Sequence, residues 1–321
     1  MLAKAVDPAR RDHIHQALFY SSDAEFMAVI VPFLEEGLDA AQPTIVVMNE
    51  RVSALLAAAV GHPDLIFLDP RERRHDPASA IRGKQELMAK HVACGAQRIR
   101  VVGETPHPGL GAPWEWWARY EAAINHLYAG FPLWGICPYD RRITPSAVID
   151  DVTRTHPWLC DGNGSHITNP RYEDPSTFLA SRPPPLADPL QDTPPVAELT
   201  NPAPADARRA ARSLQNLTSA ADFDIDDVAL AASEAVTNAL THGVQPVTMR
   251  LWAAPHRIIA TISDHGSGPT DPFAGLLPTE GSQSGGLGLW IAHQVCDHVT
   301  IATTEDGFTL TLQFDAHGRK S

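Results

Sequence analysis

The sequence predicts an α/β protein with two domains, an N-terminal doubly wound α/β sheet and a C-terminal two-layer α/β sandwich. Apolar runs alternate with amphipathic segments before residue 181, which is typical of a sheet covered by helices on both faces. Helical patterns followed by alternating strands after residue 205 are typical of a two-layer sandwich. The chain of 321 residues is long enough for two such domains, each with its own core.

A proline-rich stretch marks the predicted boundary between the domains. Residues 181–205 contain eight prolines and favour extended polyproline conformations, which act as semi-rigid spacers. We therefore predict domains at residues 1–180 and 206–321, joined by a linker at residues 181–205.

Short runs in the N-terminal half are apolar on both faces, and we predict strands at residues 44–48, 65–68, 99–103 and 131–137. Residues 24–41 and 113–129 have helical apolar spacing and are predicted crossover helices. Gly83-Lys84 lacks the upstream glycine and the following hydroxyl of a phosphate-binding loop. Nothing therefore indicates a nucleotide site in this half.

The composition argues against several classes of protein. A net charge of -13 disfavours direct nucleic-acid contact, because nucleic-acid-binding proteins usually carry a basic patch. The N-terminus is polar and no apolar run is long enough to span a bilayer, so we expect a cytoplasmic protein without membrane contact. The cysteines lack CxxC spacing and predict reduced thiols rather than disulfides or a zinc site; they are Cys94, Cys137, Cys160 and Cys296.

The C-terminal part begins with predicted helices at residues 207–217 and 226–241, followed by strands at 247–252 and 257–263. A loop rich in Gly, Pro and Ser then leads to a predicted helix at 287–296. The segments HVTIAT and FTLTLQF alternate apolar and polar residues and form a predicted hairpin. This order predicts antiparallel strands with helices on one face.

The helix at residues 226–241 carries a line of polar side chains. Glu234, Asn238 and His242 recur every four residues and therefore share one face. At a phosphate site, the amide of Asn238 can bind Mg²⁺ and the carboxylate of Glu234 can act as a general base. Taken alone, the same pair is more typical of a solvated helix face. Gly243 is predicted to end the helix as a C-terminal capping glycine.

Two glycine-containing motifs follow the helix. Asp264 ends a strand, and its carboxylate can accept a hydrogen bond from an exocyclic amine. Gly266 and Gly268 would allow the backbone to approach a flat base. The run Gly286-Leu287-Gly288 lies at a helix start, where exposed amides and the helix dipole attract phosphate.

Taken in order, these motifs resemble the Bergerat-fold ATPases of the GHKL class, over about 110 residues. The resemblance implies a site for ATP and Mg²⁺, with residues 270–283 as the lid. It makes Glu234 and Asn238 the N box, Asp264, Gly266 and Gly268 the adenine box, and Gly286, Leu287 and Gly288 the phosphate box. It also implies an adenine-side threonine in the last hairpin, for which Thr309 is the candidate, one position from the commonest pattern.

The signature EAVTNALTHG and the absence of histidine from residues 201–241 resemble the anti-sigma-factor serine/threonine kinases more than the histidine kinases. By that resemblance, Glu234 is the base for a serine hydroxyl, and the partners are a sigma factor and an anti-sigma-factor antagonist. Two alternatives remain open. One is a sensor histidine kinase-like protein, and the other is a protein that binds ATP and sequesters its partner without phosphotransfer.

The N-terminal half resembles the MEDS sensory domain. The resemblance rests on residues 15–48, which read HQALFYSSDAEFMAVIVPFLEEGLDAAQPTIVVM, and on the shorter matches Gly103-Glu104, CPYD at 137–140, His156-Pro157 and NPRY at 169–172. It implies a sensor for a small-molecule ligand.

The candidate pocket residues of this sensor are His15, Tyr20, Glu104 and Asp140, because ligand crevices form at the strand ends of open α/β sheets. The alternative interpretation makes His15 a hydrogen-bonded structural residue and Cys137 a core residue. The tryptophan cluster at residues 114–117 is more typical of a core, or of the contact of a homodimer, than of a ligand site.

Overall fold

The chain divides into two compact units, Met1–Ser181 and Arg182–Ser321. The computed structural model describes residues 13–69, 77–161, 165–182, 187–216, 223–271, 273–275, 287–304 and 306–316. Within these ranges, no helix combines the length and apolar character needed to cross a membrane.

The described part of the N-terminal unit forms a seven-stranded sheet in the order β3-β2-β4-β5-β1-β6-β7. Neighbouring strands are parallel except for the antiparallel pair β6 and β7. The strands are β1 (Ile14–Tyr20), β2 (Thr44–Val47), β3 (Ile66–Phe67), β4 (Ile99–Gly103), β5 (Leu133–Asp140), β6 (Trp158–Cys160) and β7 (His166–Thr168). The four strands predicted from apolar runs correspond to β2, β3, β4 and β5.

Helices cover both faces of this sheet. They are α1 (Asp23–Asp39), α2 (Glu50–Val60), α3 (Pro77–Ala93), α4 (Glu115–Leu127), α5 (Ser146–Thr155) and α6 (Pro175–Ser181). On β5, Ile136 belongs to the core formed with α1 and α2, whereas Tyr139 donates a hydrogen bond to Glu121 of α4. Because side chains three positions apart on a strand point to opposite faces, α4 lies on the face opposite α1. The predicted doubly wound architecture is confirmed.

The described part of the C-terminal unit forms a five-stranded antiparallel sheet in the order β11-β12-β10-β9-β8. The strands are β8 (Ala197–Thr200), β9 (Thr248–Ala254), β10 (Arg257–Asp264), β11 (His298–Thr304) and β12 (Gly307–Asp315). The helices are α7 (Pro204–Ser213), α8 (Ile225–His242) and α9 (Leu287–Val295). Alternate residues of β10, including Ala260 and Ile262, pack with Val228 and Val236 of α8 in one buried core. The predicted two-layer sandwich is confirmed.

The structure differs from the predicted spacer over residues 188–200. Asp188 forms an ion pair with Arg257 at 2.5 Å, and Trp252 donates its indole N–H to the Thr193 carbonyl at 2.8 Å. Strand β8 then pairs with β9 and packs Leu199 against the core. The prolines around this segment indicate a spacer, but residues Ala197–Thr200 form the edge strand of the sheet. Residues 188–200 therefore belong structurally to the C-terminal unit.

We predict that Leu199→Ala lowers the free energy of unfolding of the C-terminal unit by about 1–2 kcal/mol, because it removes apolar contacts of a partly buried side chain. The neighbouring Thr200 is exposed, so Thr200→Ala serves as the matched control and should change stability by less than about 0.5 kcal/mol. Denaturant unfolding of the full chain measures both variants. Equal effects of the two substitutions would contradict the assignment of β8 to the core.

Candidate functional site

Helix α8 presents the predicted acid and amide on one face. Its N-terminus is capped by Asp224, whose carboxylate accepts hydrogen bonds from the backbone N–H groups of Asp226 and Asp227 at 3.1 and 3.4 Å. The opposite face of the helix is buried and consists mainly of alanines and valines. Glu234 and Asn238 are half-buried, and neither side chain is hydrogen-bonded to another described residue. Both groups are therefore available to a ligand.

Asn238 lies directly against the start of helix α9. A methyl group added at Gly288 would lie 2.6 Å from the amide nitrogen of Asn238, which is closer than real carbon atoms approach. A side chain at position 288 would therefore require the Asn238 amide to move. The structure thus brings together the N box and one glycine of the predicted phosphate box. Gly286 and most of the predicted lid lie outside the described residues, as does the side chain of Leu287.

Asp264 lies at the end of β10 and is only 6% exposed. One of its carboxylate oxygens, Oδ1, accepts hydrogen bonds from the backbone N–H groups of Val244 and Gly266 at 3.1 and 2.6 Å. The other, Oδ2, has no partner among the described residues. A carboxylate oxygen of this kind can accept a hydrogen bond from an amine such as that of adenine.

Two glycines make room for this carboxylate. A methyl group at Gly243 would lie 2.5 Å from the carboxyl carbon of Asp264, and one at Gly266 would lie 2.7 Å from Oδ1. Gly243 does not adopt the left-handed conformation expected of a capping glycine, since its φ is -85°. The close approach of Asp264, rather than helix termination, therefore requires a glycine at position 243.

Gly268 has a different role. Its φ of +69° lies in the left-handed region, and a methyl group there would lie 2.2 Å from the ring of Phe308. Phe308 is in register with Asp264 across β10 and β12. The second adenine-box glycine therefore lets the loop turn over the end of β12.

Thr309 lies on β12, one position after the partner of Asp264, and its role as the adenine-side threonine stays a prediction. Thr309 is in register with Ser263, and their hydroxyls are 2.9 Å apart. Because consecutive strand residues alternate between faces, Ser263 and Thr309 lie on the face opposite the Asp264 side chain. A cavity of about 230 Å³ is lined by Asp264, Thr309, Ser263 and Asp306, among other residues, but not by Glu234 or Asn238. The predicted adenine-side residues Asp264 and Thr309 therefore border the same cavity at the end of β10.

In the N-terminal unit, three predicted pocket residues converge at the carboxyl edge of the parallel sheet. Tyr20 ends β1 in register with Asp140 at the end of β5, and Glu104 directly follows β4. Asn49 donates a hydrogen bond to Glu104 at 3.1 Å, and Arg142 forms an ion pair with Asp140 at 2.6 Å. These groups form a polar edge of the kind at which α/β sheets bind ligands.

The pKa values of the ionisable groups at this edge are shifted in different directions. Burial raises the pKa of the Tyr20 phenol to about 12, with the Asp140 carboxylate acting in the same direction. Burial also raises the pKa of Glu104 above its usual value. In contrast, hydrogen bonds from the Arg142 guanidinium lower the pKa of Asp140. The edge therefore combines a neutral phenol with a carboxylate that stays ionised.

His15 does not belong to this edge. It precedes Tyr20 by five strand residues, which corresponds to about 16 Å. It lies instead in a buried polar cluster, here called the core cluster, that consists of His15, Glu121, Cys137 and His156. The prediction that His15 lines the pocket with Tyr20 is therefore wrong, because the two residues lie near opposite ends of β1.

The core cluster joins four separate parts of the fold. His15 Nε2 lies 3.3 Å from Glu121 Oε2 and 3.3 Å from Cys137 Sγ, and His156 Nε2 lies 3.5 Å from Glu121 Oε2. The four ligand-type atoms all lie within 4.8 Å of one another. All four residues are buried, and Glu121 and His156 are 0% exposed. Sequence reasoning missed Glu121, and it noted His156 only as a motif residue.

Burial sets the charge states within the core cluster. Loss of water lowers the pKa of His156 to about 3 and raises the pKa of the Cys137 thiol well above its usual value. For Glu121, burial raises the pKa, but the His156 and His15 imidazoles outweigh it and the net shift is downward. Burial therefore disfavours the charged forms of His156 and Cys137, whereas the neighbouring imidazoles favour the charged form of Glu121.

The tryptophan cluster is mostly part of the core. Trp114 is 9% exposed and donates its indole N–H to Asp151 at 2.8 Å. Trp117 is 8% exposed and contacts Tyr120 edge to face. Packing inside the unit accounts for both residues.

Comparison with known proteins gives a family for each unit. Residues 14–157 match the family model described as MEDS, the MEthanogen/methylotroph, DcmR Sensory domain. Residues 198–314 match the model described as a histidine kinase-like ATPase domain.

Among curated proteins, the chain is 29% identical over 165 residues to the transcriptional repressor DcmR of Methylorubrum extorquens strain DM4. The match covers 47% of this chain and 60% of that protein. Among solved structures, the catalytic domain of histidine kinase ThkA matches at 12% identity over 37% of this chain and 95% of its own, with a TM-score of 0.26. The histidine kinase domain of the E. coli osmosensor EnvZ matches at 16% identity over 40% of this chain and 94% of its own, with a TM-score of 0.25. From the two family matches, the chain combines a MEDS domain at residues 14–157 with a GHKL-like ATPase domain at residues 198–314.

Proposed function

We propose that this chain is an anti-sigma-factor-type regulator that binds Mg-ATP and phosphorylates a serine or threonine of an anti-sigma-factor antagonist, under the control of its MEDS domain. The observation that carries the proposal is the arrangement of the C-terminal unit. Asn238 contacts the start of α9 at Gly288, and Asp264, which is only 6% exposed, keeps one carboxylate oxygen without a donor among the described residues.

The residues of this unit fit Mg-ATP by the chemistry of their donors. Asn238 supplies an oxygen of the type that Mg²⁺ accepts as a ligand. Gly288 begins a helix, where backbone N–H groups and the helix dipole favour phosphate. The free oxygen of Asp264 accepts a hydrogen bond from the adenine amine. When bound, Mg-ATP supplies the phosphoryl group and the metal charge that stabilises its transfer.

Glu234 is the proposed general base. In the transfer, the acceptor hydroxyl oxygen forms a bond to the γ-phosphorus, the bond to the β-phosphate oxygen breaks, and ADP is the leaving group. The hydroxyl proton passes to the Glu234 carboxylate. This carboxylate is half-buried, one turn from Asn238, and not hydrogen-bonded to another described residue.

A hydroxyl acceptor is favoured over a histidine of the chain itself. Histidine kinases place the acceptor histidine on a helix near the ATPase domain, but residues 201–241 contain no histidine. The helix before α8 in the described part of the unit is α7, which spans only ten residues. Partner recognition by sigma factors or their antagonists is consistent with the net charge of -13, which favours basic protein surfaces.

The MEDS domain is the proposed sensor. Its polar edge at Tyr20, Glu104 and Asp140 provides hydrogen-bonding groups at the position where parallel α/β sheets bind small molecules. The name of its family model and the similarity to a transcriptional repressor support a regulatory role for a ligand at this edge.

We predict that Glu234→Gln retains Mg-ATP binding but slows phosphotransfer by about 10²-fold or more, because the amide cannot take the proton. The assay incubates the chain with γ-labelled Mg-ATP and a purified anti-sigma-factor antagonist, followed by phosphoamino-acid analysis. Glu198→Gln, at an exposed residue of β8, is the matched control and should transfer phosphate like the wild type.

The same assay separates the alternatives. Phosphoserine or phosphothreonine on the antagonist supports the proposal. Label on a histidine of the chain itself would indicate a histidine kinase-like activity. Binding of Mg-ATP without transfer to any antagonist would indicate a sequestering protein.

We predict that Asp264→Asn weakens ATP binding by about 10–100-fold, which corresponds to an unpaired buried donor costing about 1–3 kcal/mol. The two backbone N–H groups keep the side-chain oxygen at the Oδ1 position, so the new NH₂ group takes the Oδ2 position and opposes the adenine amine. ITP carries an acceptor oxygen at the same position of the base, so Asp264→Asn should weaken ITP binding less than ATP binding. Calorimetry with both nucleotides checks this, with Glu198→Gln at an exposed residue of β8 as control. Equal losses for ATP and ITP would contradict the assigned role.

We predict that Gly288→Ala displaces the Asn238 amide, because the added methyl group lies 2.6 Å from its nitrogen. The expected result is a loss of Mg²⁺-dependent ATP affinity by about tenfold or more, or about 1.4 kcal/mol. ATP titrations with and without Mg²⁺ measure the effect. Gly83→Ala is the control, since nothing lies within 4 Å of a methyl group there. If the Mg²⁺ dependence of ATP affinity is unchanged in Gly288→Ala, Asn238 is not a ligand of the metal.

A further inference from the structure

The core cluster presents several lone pairs to one buried point. Asn125 directs its oxygen to His15 Nδ1 at 2.9 Å, since its amide nitrogen donates to the Thr155 carbonyl at 2.7 Å. His15 Nδ1 must therefore carry a proton, and in the neutral tautomer Nε2 offers a lone pair to the cluster. His156 Nδ1 lies 2.8 Å from the Val152 carbonyl, an acceptor, so its Nε2 likewise offers a lone pair.

The carboxylate of Glu121 completes this arrangement. Its Oε1 accepts hydrogen bonds from the hydroxyls of Thr105 and Tyr139 at 2.5 and 2.8 Å. Its Oε2 faces the imidazoles of His15 and His156 and has no hydrogen-bond donor. His156 Nε2 is also buried without a hydrogen-bond partner. Buried acceptors that face one another without a proton between them are destabilising unless a cation lies among them.

We propose that the core cluster is a zinc site, with His15 Nε2, Glu121 Oε2, Cys137 Sγ and His156 Nε2 as the four ligands. Ligand atoms at about 2.0–2.3 Å from a tetrahedral zinc are about 3.3–3.8 Å from one another. Three of the six separations in the cluster, 3.3, 3.3 and 3.5 Å, match the edges of such a tetrahedron, and all of them are within 4.8 Å.

The donor set selects the class of metal. One sulfur and two imidazole nitrogens disfavour Mg²⁺ and Ca²⁺, which prefer oxygen ligands. They suit zinc and its spectroscopic substitute cobalt(II). Four protein ligands with no open position are typical of a structural rather than a catalytic zinc site.

The surroundings are those of a metal site with oriented ligands. Asn125 and the Val152 carbonyl fix the two imidazoles, and Thr105 and Tyr139 fix the carboxylate. Such outer contacts hold ligands in position and set the histidine tautomer. The sequence argued against zinc because the cysteines lack CxxC spacing, but here the ligands come from β1, α4, β5 and the end of α5.

The first test measures metal content. Because the site is buried, zinc has to enter during synthesis, so the full chain without a histidine tag is purified from zinc-supplemented culture. We expect about one zinc per chain, as for a single four-ligand site. Glu121→Gln and Cys137→Ser should lose most of this metal. Cys94→Ser is the matched control at an exposed cysteine and should retain it.

The second test identifies the ligands by spectroscopy. The chain from cobalt-supplemented minimal medium should show a thiolate-to-cobalt charge-transfer band and the intense visible bands of tetrahedral cobalt. Cys137→Ser should abolish the charge-transfer band, whereas Cys94→Ser and Cys160→Ser should keep it. Should Cys137→Ser fail to fold by circular dichroism, the near-isosteric Glu121→Gln carries the test through its loss of metal. A wild-type chain without bound metal, or a charge-transfer band that survives in folded Cys137→Ser, would overturn the proposal.

Discussion

A carboxylate that is removed from water has to be compensated by donors around it, and this constraint organises the polar centre of each unit. In the C-terminal unit, the backbone of Val244 and Gly266 satisfies one oxygen of Asp264. In the N-terminal unit, the hydroxyls of Thr105 and Tyr139 satisfy one oxygen of Glu121. In both carboxylates the second oxygen has no donor among the described residues. The second oxygen of each carboxylate can therefore accept a hydrogen bond or bind a cation.

Elements with strong local signals could be predicted from the sequence. Helix α8 has an Asp cap and an Ala/Val stripe with helical spacing, and the structure gives it nearly the predicted bounds. Strand β8 could not be predicted in the same way, because prolines surround its four residues and its stability comes from pairing with β9. Tertiary pairing therefore overrode a local composition that indicated a spacer.

The candidate sites were predictable only in part, for reasons of geometry. Thr309 contacts Ser263 and borders the same cavity as Asp264. The sequence could not establish this register, because a shift of one position moves a strand side chain to the other face. Glu121 was missed because a helical glutamate is usually exposed. The signal was nevertheless present, since Glu121 continues the buried stripe of α4 between Trp117 and Ile124. A charged residue in the apolar stripe of a helix requires a partner, and the core cluster supplies it.

The motif glycines of the C-terminal unit leave space for the polar side chains of the candidate site. Gly243 and Gly266 leave the space that Asp264 occupies, and Gly288 leaves the space beside the Asn238 amide. In each case a methyl group would overlap a functional side chain rather than a phosphate. These glycines therefore help to fix the positions of the acid and the amide within the fold. Preorganisation of this kind lowers the entropic cost of binding, because the polar groups are already held where a nucleotide needs them.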